Sequence, residues 1–264
     1  MRATRLVGVA AALVLAVSGC SAGTPGEDPR AEPPGEQPSG EQPSGTAEAA
    51  VEADAEAEPE PEAEMEVEPP FDLTRRSTTD PRSAWVVVNR RRALRPATFE
   101  PRLSVVEGYQ VHPRVVRPLT RLLAAGRREG LDLRIMSAYR SAARQGYLYA
   151  AAVAARGRAR ADLTTARAGH SEHQTGLAVD LGRASTGACN VTACFATTRE
   201  ARWLARNAHR FGFVLRYPDG GRPMTGIAHE SWHFRFVGRP LAAYLRRERI
   251  PTLEEAFGLV GAGS

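Results

Sequence analysis

The segment SEHQTGLAVD, residues 171–180, contains a short apolar run that ends in an acid. The run LAV and the following Leu181 have the composition of a compact buried strand, and Asp180 is the one charged residue within it. A carboxylate inside an apolar strand costs free energy unless a cation pairs with it. An arginine or a metal ion can supply that cation, so Asp180 alone leaves both interpretations open.

A second polar segment, ESWH, begins at Glu230 and ends at His233. A histidine between two aromatic residues can be an ordinary core residue, which is the alternative for His233. Together with His173 and Asp180, however, it completes a set of two imidazoles and one carboxylate that suits Zn²⁺ and leaves a fourth position for water. Glu230 can serve as the base for that water. Since Glu230 and His233 are three residues apart, a regular strand would point them to opposite faces, and we predict a bulge near Ser231.

The rest of the pattern predicts helices and strands in uneven blocks joined by hairpin-like turns. This favours an α+β fold, a single domain with a mostly antiparallel sheet flanked by helices. Strands are predicted at 85–89, 131–135, 177–181, 213–217 and 233–237. Helices are predicted to start at His112, at Ser141 (with Tyr147, Leu148 and Ala151 inside), at a capping box from Thr197 to Glu200, and at Pro240.

Residues 1–20 have the features of an export signal. Arg2 and Arg5 precede an apolar run that is too short to cross a bilayer comfortably, and the run ends in VSGC at Cys20. That ending resembles a bacterial lipobox, so we expect cleavage before Cys20 and lipid attachment to it. The alternative is an ordinary signal peptide with an incidental cysteine. An acylated terminus would hold the protein at the membrane through its lipid only, facing the cell wall.

Composition divides the remaining chain into three parts. Residues 21–80 are rich in Pro, Glu and Ala and are expected to form a disordered linker, 81–250 the folded domain, and 251–264 a C-terminal tail. From residue 81 onward, thirty arginines face thirteen acidic residues, an excess of seventeen positive charges. A basic domain can bind any polyanion. The export signal favours anionic wall polymers over nucleic acid.

Two cysteines, Cys189 and Cys194, remain after Cys20. In an exported chain such a pair predicts a small disulfide loop. The alternative, that they are metal ligands, is weaker because no histidine lies between them.

The two polar segments, together with Gly212-Phe213, RYP at 216–218 and TGI at 225–227, resemble the VanY-type D-alanyl-D-alanine carboxypeptidases. These are zinc peptidases related to VanX-type dipeptidases, lysostaphin-like enzymes and hedgehog domains. The similarity runs from about 86 to 237 and implies a hedgehog/D,D-peptidase-like fold.

The resemblance also implies roles for single residues. It makes His173, Asp180 and His233 the zinc ligands and Glu230 the catalytic base. The segment SAYRS at 137–141 is similar to the family's substrate-binding segment, which makes Arg140 a cation for the substrate; Ala138 departs from the family, where glycine is common. Two further positions, Gln145 and Ser171, match residues that line the same pocket. The nearby His170 and His229 are expected to lie outside the metal site.

The function that the resemblance implies is a monomeric, extracytoplasmic, lipid-anchored zinc D,D-carboxypeptidase. It would hydrolyse the terminal D-Ala-D-Ala bond of peptidoglycan stem peptides. Related alternatives are an L,D-carboxypeptidase, a D,D-dipeptidase and a wall endopeptidase. An alternative of another class is a non-catalytic wall-binding lipoprotein, against which the presence of Glu230 beside a complete ligand set speaks.

Overall fold

The computed structural model describes residues 71–185 and 187–261. The predicted signal segment, Cys20 and most of the predicted linker lie outside these residues. The described strands are β1 (Ser104–Val106), β2 (Tyr109–Val111), β3 (Leu133–Ser137), β4 (Ala178–Arg183), β5 (Phe213–Tyr217) and β6 (Glu230–Phe236). The described α-helices are α1 (Pro113–Arg128), α2 (Ala142–Arg156), α3 (Arg158–Thr164), α4 (Arg199–Asn207), α5 (Arg222–Thr225), α6 (Arg239–Arg247) and α7 (Leu253–Ala256). Within the described ranges, every helix is too short or too polar to cross a bilayer.

Four strands form an antiparallel sheet in the order β3-β4-β6-β5, and β1 pairs with β2 in a separate antiparallel hairpin. In the centre of the sheet, Asp180 of β4 lies opposite Ser137 of β3 on one side and His233 of β6 on the other. Helices pack around this sheet. The prediction of an α+β domain with a mostly antiparallel sheet is therefore confirmed.

Helix α1 begins where the sequence predicts. His112 is its N-cap and accepts a hydrogen bond from the backbone N–H of Arg114, and Pro113 occupies the first helical position. An apolar stripe on this helix is buried in the main core with residues of all four sheet strands. The fully buried members of the stripe are Val115, Leu119, Leu122 and Leu123.

The prediction of a strand at 85–89 is wrong, although Val86, Val87 and Val88 are buried as expected. Their backbone groups do not join a ladder. The N–H of Val87 donates to the carbonyl of Thr78, and the carbonyls of Ala84 and Val86 accept from the guanidinium of Arg235. A distant backbone carbonyl and an arginine side chain thus satisfy the polar backbone groups of this buried segment, although its apolar composition is typical of a strand.

Two details of the helices also differ from the prediction. Helix α2 follows its Ser141 cap, but Tyr147 is 65% exposed, and the buried positions are Gln145 and Ala152. The cap of α4 is Thr198, one residue later than predicted, and its hydroxyl accepts from the N–H of Ala201. The start of α4 is set by this capping hydrogen bond, which the spacing of apolar residues does not specify.

The folded part extends beyond both predicted boundaries. Phe71, which was assigned to the linker, stacks on Tyr244 with ring centroids 4.7 Å apart. The predicted tail contains α7, in which Leu253, Glu254 and Ala256 are buried. Residues 71–80 and 251–261 thus pack with the domain.

Candidate metal centre

Three buried side chains meet at the middle of the sheet. Nε2 of His173 lies 3.2 Å from Oδ2 of Asp180, and Nδ1 of His233 lies 3.0 Å from Oδ1 of the same carboxylate. One ligand atom from each residue can be chosen so that all lie within 4.8 Å of one another. The exposed fractions are 5%, 4% and 3%, so bulk water does not compete for these atoms. The three residues that the resemblance assigned as zinc ligands are therefore brought together.

The local backbone explains this convergence. His173 lies in a 3₁₀ turn, Glu172–Thr175, which Gly176 ends in a left-handed conformation with φ 68°. A Cβ at Gly176 would lie 2.8 Å from the backbone nitrogen of His112, so the position needs glycine. The turn leads directly into β4, where Asp180 is the cross-strand partner of His233.

The predicted irregularity near Ser231 is present. Tyr217 pairs with Glu230 and Leu215 pairs with Phe234, so three residues of β6 lie opposite one residue of β5. At this bulge, successive side chains of β6 no longer alternate strictly between the two faces of the sheet. As a result, Oε2 of Glu230 lies 3.8 Å from Nδ1 of His233, although the two residues are three apart in sequence.

The donor set fits a zinc ion. Nδ1 of His173 lies 2.6 Å from the carbonyl oxygen of Ala138. Because a carbonyl can only accept, this nitrogen carries the proton, and Nε2 is free to bind a metal. Two imidazole nitrogens and one carboxylate are a common zinc set with an open position for water.

The electrostatics of the cluster favour a cation at the same place. Burial lowers the pKa of His173, which keeps this imidazole neutral as a metal ligand requires. Burial alone would raise the pKa of Asp180, but the two imidazoles hold it well below its usual value. Burial would lower the pKa of His233, yet contacts with Asp180 and Glu172 raise it to about 9. The acidic groups thus stabilise positive charge here, which a divalent ion supplies.

Glu230 differs from the other carboxylates of the site. Its side chain is 19% exposed at the edge of a cleft of about 530 Å³ that also borders the three ligands. Burial raises its pKa to about 7, with Asp180 acting in the same direction and His233 opposing it. A carboxylate with a pKa near neutrality is well suited to take up and return a proton.

Arg140, Gln145 and Ser171 also line this cleft, as the resemblance implied. The guanidinium of Arg140 donates to Oε1 of Gln145 at 2.8 Å and to Oγ of Ser137 at 3.2 Å. Gln145 is itself fixed, because its Nε2 donates to the carbonyl of Ala166 at 2.6 Å. Gln145 therefore holds Arg140 in place, and Ser171 is a buried part of the wall.

The two neighbouring histidines lie outside the ligand set, as expected. Nδ1 of His170 lies 2.8 Å from the carbonyl oxygen of Asn89, away from the cluster. His229 lines the cleft but is exposed and is not one of the three clustered residues.

A disulfide joins Cys189 and Cys194, with Cα atoms 5.2 Å apart. The pair does not belong to the metal cluster. Val191, inside the loop that the disulfide closes, lines the cleft.

Sequence reasoning missed a buried ion cluster behind the metal site. Glu172 accepts from Arg216 at 2.8 Å and from Arg235 at 2.7 Å, and Arg216 also donates two hydrogen bonds to Glu254 at 2.8 and 2.6 Å. A signal for it existed in the sequence, since Arg235 is flanked by Phe234 and Phe236 in a strand. A charge among apolar residues needs a partner, and this holds for Arg235 as it does for Asp180.

Replacement of Asp180 by asparagine should remove the metal while keeping the shape of the side chain. We expect Asp180→Asn to weaken zinc binding by more than the factor of about 10–100 that follows loss of a partner behind a ligand. Zinc content after dialysis and competition with a chromogenic chelator measure this. The matched control is Asp219→Asn, an exposed position whose carboxylate accepts a hydrogen bond from the backbone N–H of its neighbour Gly220. Wild-type zinc affinity in Asp180→Asn would show that the ligand set is wrong.

Comparison with known proteins gives one consistent result. The family model described as VanY, D-alanyl-D-alanine carboxypeptidase, matches residues 108–239, which include all residues of the site. YodJ of Bacillus subtilis is 32% identical over 189 residues, which are 67% of this chain and 68% of YodJ.

Solved structures agree. The LdcB LD-carboxypeptidase has a TM-score of 0.63 at 31% identity, over 68% of this chain and 88% of LdcB. A Zn(II) complex of the D,D-pentapeptidase VanY has a TM-score of 0.56 at 32% identity, over 64% of this chain and 96% of that one. The chain therefore belongs to the VanY family of D-alanyl-D-alanine carboxypeptidases.

Proposed function

We propose that this protein is a zinc-dependent D,D-carboxypeptidase that removes the terminal D-alanine from peptidoglycan stem peptides. The observation that carries the proposal is the meeting of the three clustered ligands with Glu230 and a fixed guanidinium in one cleft. A scaffold that only bound wall material would need neither a carboxyl group with a raised pKa beside the ligands nor a fixed arginine in the same cleft.

Glu230 is the proton acceptor in this proposal. A zinc ion held by the three ligands would lower the pKa of bound water to about 7 and polarise the peptide carbonyl. Glu230 lines the cleft with Oε2 3.8 Å from Nδ1 of His233, so it can take the proton of the attacking water and deliver it to the leaving amine. Burial raises the pKa of this carboxyl group above its ordinary value, which favours uptake of the proton.

Arg140 recognises the free carboxylate that defines a carboxypeptidase substrate. Two of its N–H groups are used by Gln145 and Ser137, which fix the plane of the guanidinium. Its other N–H groups remain as donors for a carboxylate. Burial lowers the pKa of Arg140, and the negative charges of Asp180 and Glu230 oppose this shift. The guanidinium lines the same cleft as the metal ligands.

A second candidate is an L,D-carboxypeptidase, which removes the terminal D-alanine from a tetrapeptide. The likeness to the LdcB LD-carboxypeptidase, with a TM-score of 0.63, favours it. The two candidates share the metal set and the carboxylate-binding cation and differ in the residue that precedes the scissile bond.

We also propose that the enzyme works outside the cytoplasmic membrane, tethered by lipid at Cys20. The basic, apolar and VSGC segments of residues 1–20 support this, and so does the Cys189–Cys194 disulfide, which is typical of oxidising compartments.

Product analysis tests the proposed reaction. Purified protein with zinc and a stem pentapeptide should release D-alanine and leave the tetrapeptide, and a chelator should stop the reaction. Glu230→Gln should keep zinc and lose about 10²- to 10⁴-fold in kcat, the usual contribution of a general base. Glu255→Gln, at an exposed position, is the control. Turnover of a tetrapeptide instead of the pentapeptide, by mass spectrometry, would establish the L,D alternative. Full activity of Glu230→Gln would remove Glu230 from the mechanism.

Arg140→Ala should lower kcat/KM about 10- to 100-fold, because a hydrogen-bonded charge pair with the substrate is lost. The control is Arg144→Ala, an exposed arginine three positions beyond the Ser141 cap of α2. A peptide with an amidated C-terminus separates the effects: the wild type should discriminate against it, and Arg140→Ala should not. Equal discrimination by both proteins would show that another group binds the carboxylate.

Cys20→Ala should release the protein from the membrane fraction of cells that express the full chain. The acyl chains on Cys20, which contribute about 0.8 kcal/mol of membrane binding per buried CH₂, are the only anchor that we propose. Ser21→Ala is the matched control. Membrane retention of Cys20→Ala, measured by fractionation and immunoblotting, would contradict lipid attachment at this cysteine.

A further inference from the structure

Behind the metal site, the carboxylate of Glu172 faces the second nitrogen of His233. Oε2 of Glu172 lies 3.5 Å from Nε2 of His233, and the two side chains are 0% and 4% exposed. Among the described residues, neither atom has a hydrogen-bond partner. At 3.5 Å the contact is long for a formed hydrogen bond, yet these two unsatisfied atoms point at one another.

The orientation of the imidazole gives this contact a direction. Nδ1 of His233 is the nitrogen that faces Asp180, at 3.0 Å, and Glu230, at 3.8 Å. If Nδ1 binds the metal, Nε2 must carry the ring proton and needs an acceptor. Glu172 is the acceptor in place. His173 has the corresponding arrangement, with the carbonyl of Ala138 opposite its Nδ1.

Glu172 is held so that this oxygen stays available. Its other oxygen, Oε1, accepts from Nε of Arg216 at 2.8 Å and from Arg235 at 2.7 Å. Arg216 is fixed by two hydrogen bonds to Glu254. Arg235 is fixed by the carbonyls of Ala84 and Val86. Two anchored cations on one oxygen prevent the carboxylate from turning, so Oε2 remains directed at His233.

We propose that Glu172 is a positioning residue of the metal centre. By accepting the proton of Nε2, it selects the tautomer of His233 that presents the lone pair of Nδ1 to the metal, and it fixes the plane of the ring. Carboxylate partners of this kind typically change metal affinity by about 10- to 100-fold. The inference rests on the metal site of the proposed function and is independent of which peptide is cleaved.

Glu172→Gln tests the proposal. The amide oxygen can satisfy the arginines, which leaves the amide NH₂ opposite Nε2 of His233. A donor there favours the tautomer with the proton on Nδ1, which opposes metal binding. We expect zinc affinity, measured by chelator competition without substrate, to fall about 10- to 100-fold. In the cobalt-substituted protein, the visible d–d bands should shift.

The matched control is Glu254→Gln, which removes one negative charge from the same buried cluster but leaves the contact between Glu172 and His233. It should lower the thermal midpoint and leave zinc affinity within about threefold of wild type and the cobalt spectrum unchanged, since only the pair at His233 sets the ligand. Equal losses of zinc affinity in the two variants, or no loss in Glu172→Gln, would overturn the proposal and reduce Glu172 to a structural ion.

Glu172→Asp keeps the test decisive if the glutamine variant does not fold. It retains the charge that the two arginines need, but its shorter side chain withdraws the carboxylate from His233. We expect a zinc affinity at least about tenfold below wild type. Wild-type affinity and an unchanged cobalt spectrum in a folded Glu172→Asp protein would contradict the positioning role. Because no peptide is used, failure of this inference and failure of the proposed peptidase activity are separate results.

Discussion

The antiparallel pairing of β4 with β6 places Asp180 directly opposite His233, and the metal site depends on this register. Side chains of paired residues start about 4.5–5.5 Å apart, so two ligands reach one ion without help from a loop. A shift by one residue would turn Asp180 to the other face of the sheet. Val179 and Leu181, which are completely buried beside it, make such a shift costly. The apolar residues that build the core therefore also fix the position of the Asp180 carboxylate in the metal site.

A second constraint follows from the charges beneath the site. Glu172, Arg216, Arg235 and Glu254 are all buried and form a neutral set of two cations and two anions. A single buried ion would cost several kcal/mol, so the members are tolerated only together. The set connects the 3₁₀ turn, β5, β6 and α7, which explains why residues beyond 250 belong to the fold. It also provides a rigid acceptor behind a metal ligand, which an apolar core could not do.

The sequence predicted the parts of the structure that depend on short-range pattern. The stretch at 171–180 predicted the central strand and two ligands, and the three-residue spacing of Glu230 and His233 predicted the bulge. Prediction from the sequence failed where hydrogen bonds between distant residues determine the local structure. Val86 to Val88 look like a strand, but the carbonyl of Val86 accepts from Arg235, 149 residues away, and the pairing of Arg216 with Glu254 cannot be read from spacing. Partners of buried charges are a property of the fold.

The same distinction separates catalysis from specificity. In the proposed reaction, the three ligands would hold the metal beside the scissile carbonyl, Glu230 would act on the attacking water, and Arg140 would bind the carboxylate that follows. L- and D-residues present these groups alike, so a D,D and an L,D enzyme can share them, in keeping with the 31% and 32% identity to structures of both kinds. Chirality at the residue before the scissile bond instead directs its side chain to one wall of the cleft or the other. Those walls include Leu148, Ile227 and Trp232, so we expect the stereochemical preference to depend on these residues more than on the metal site.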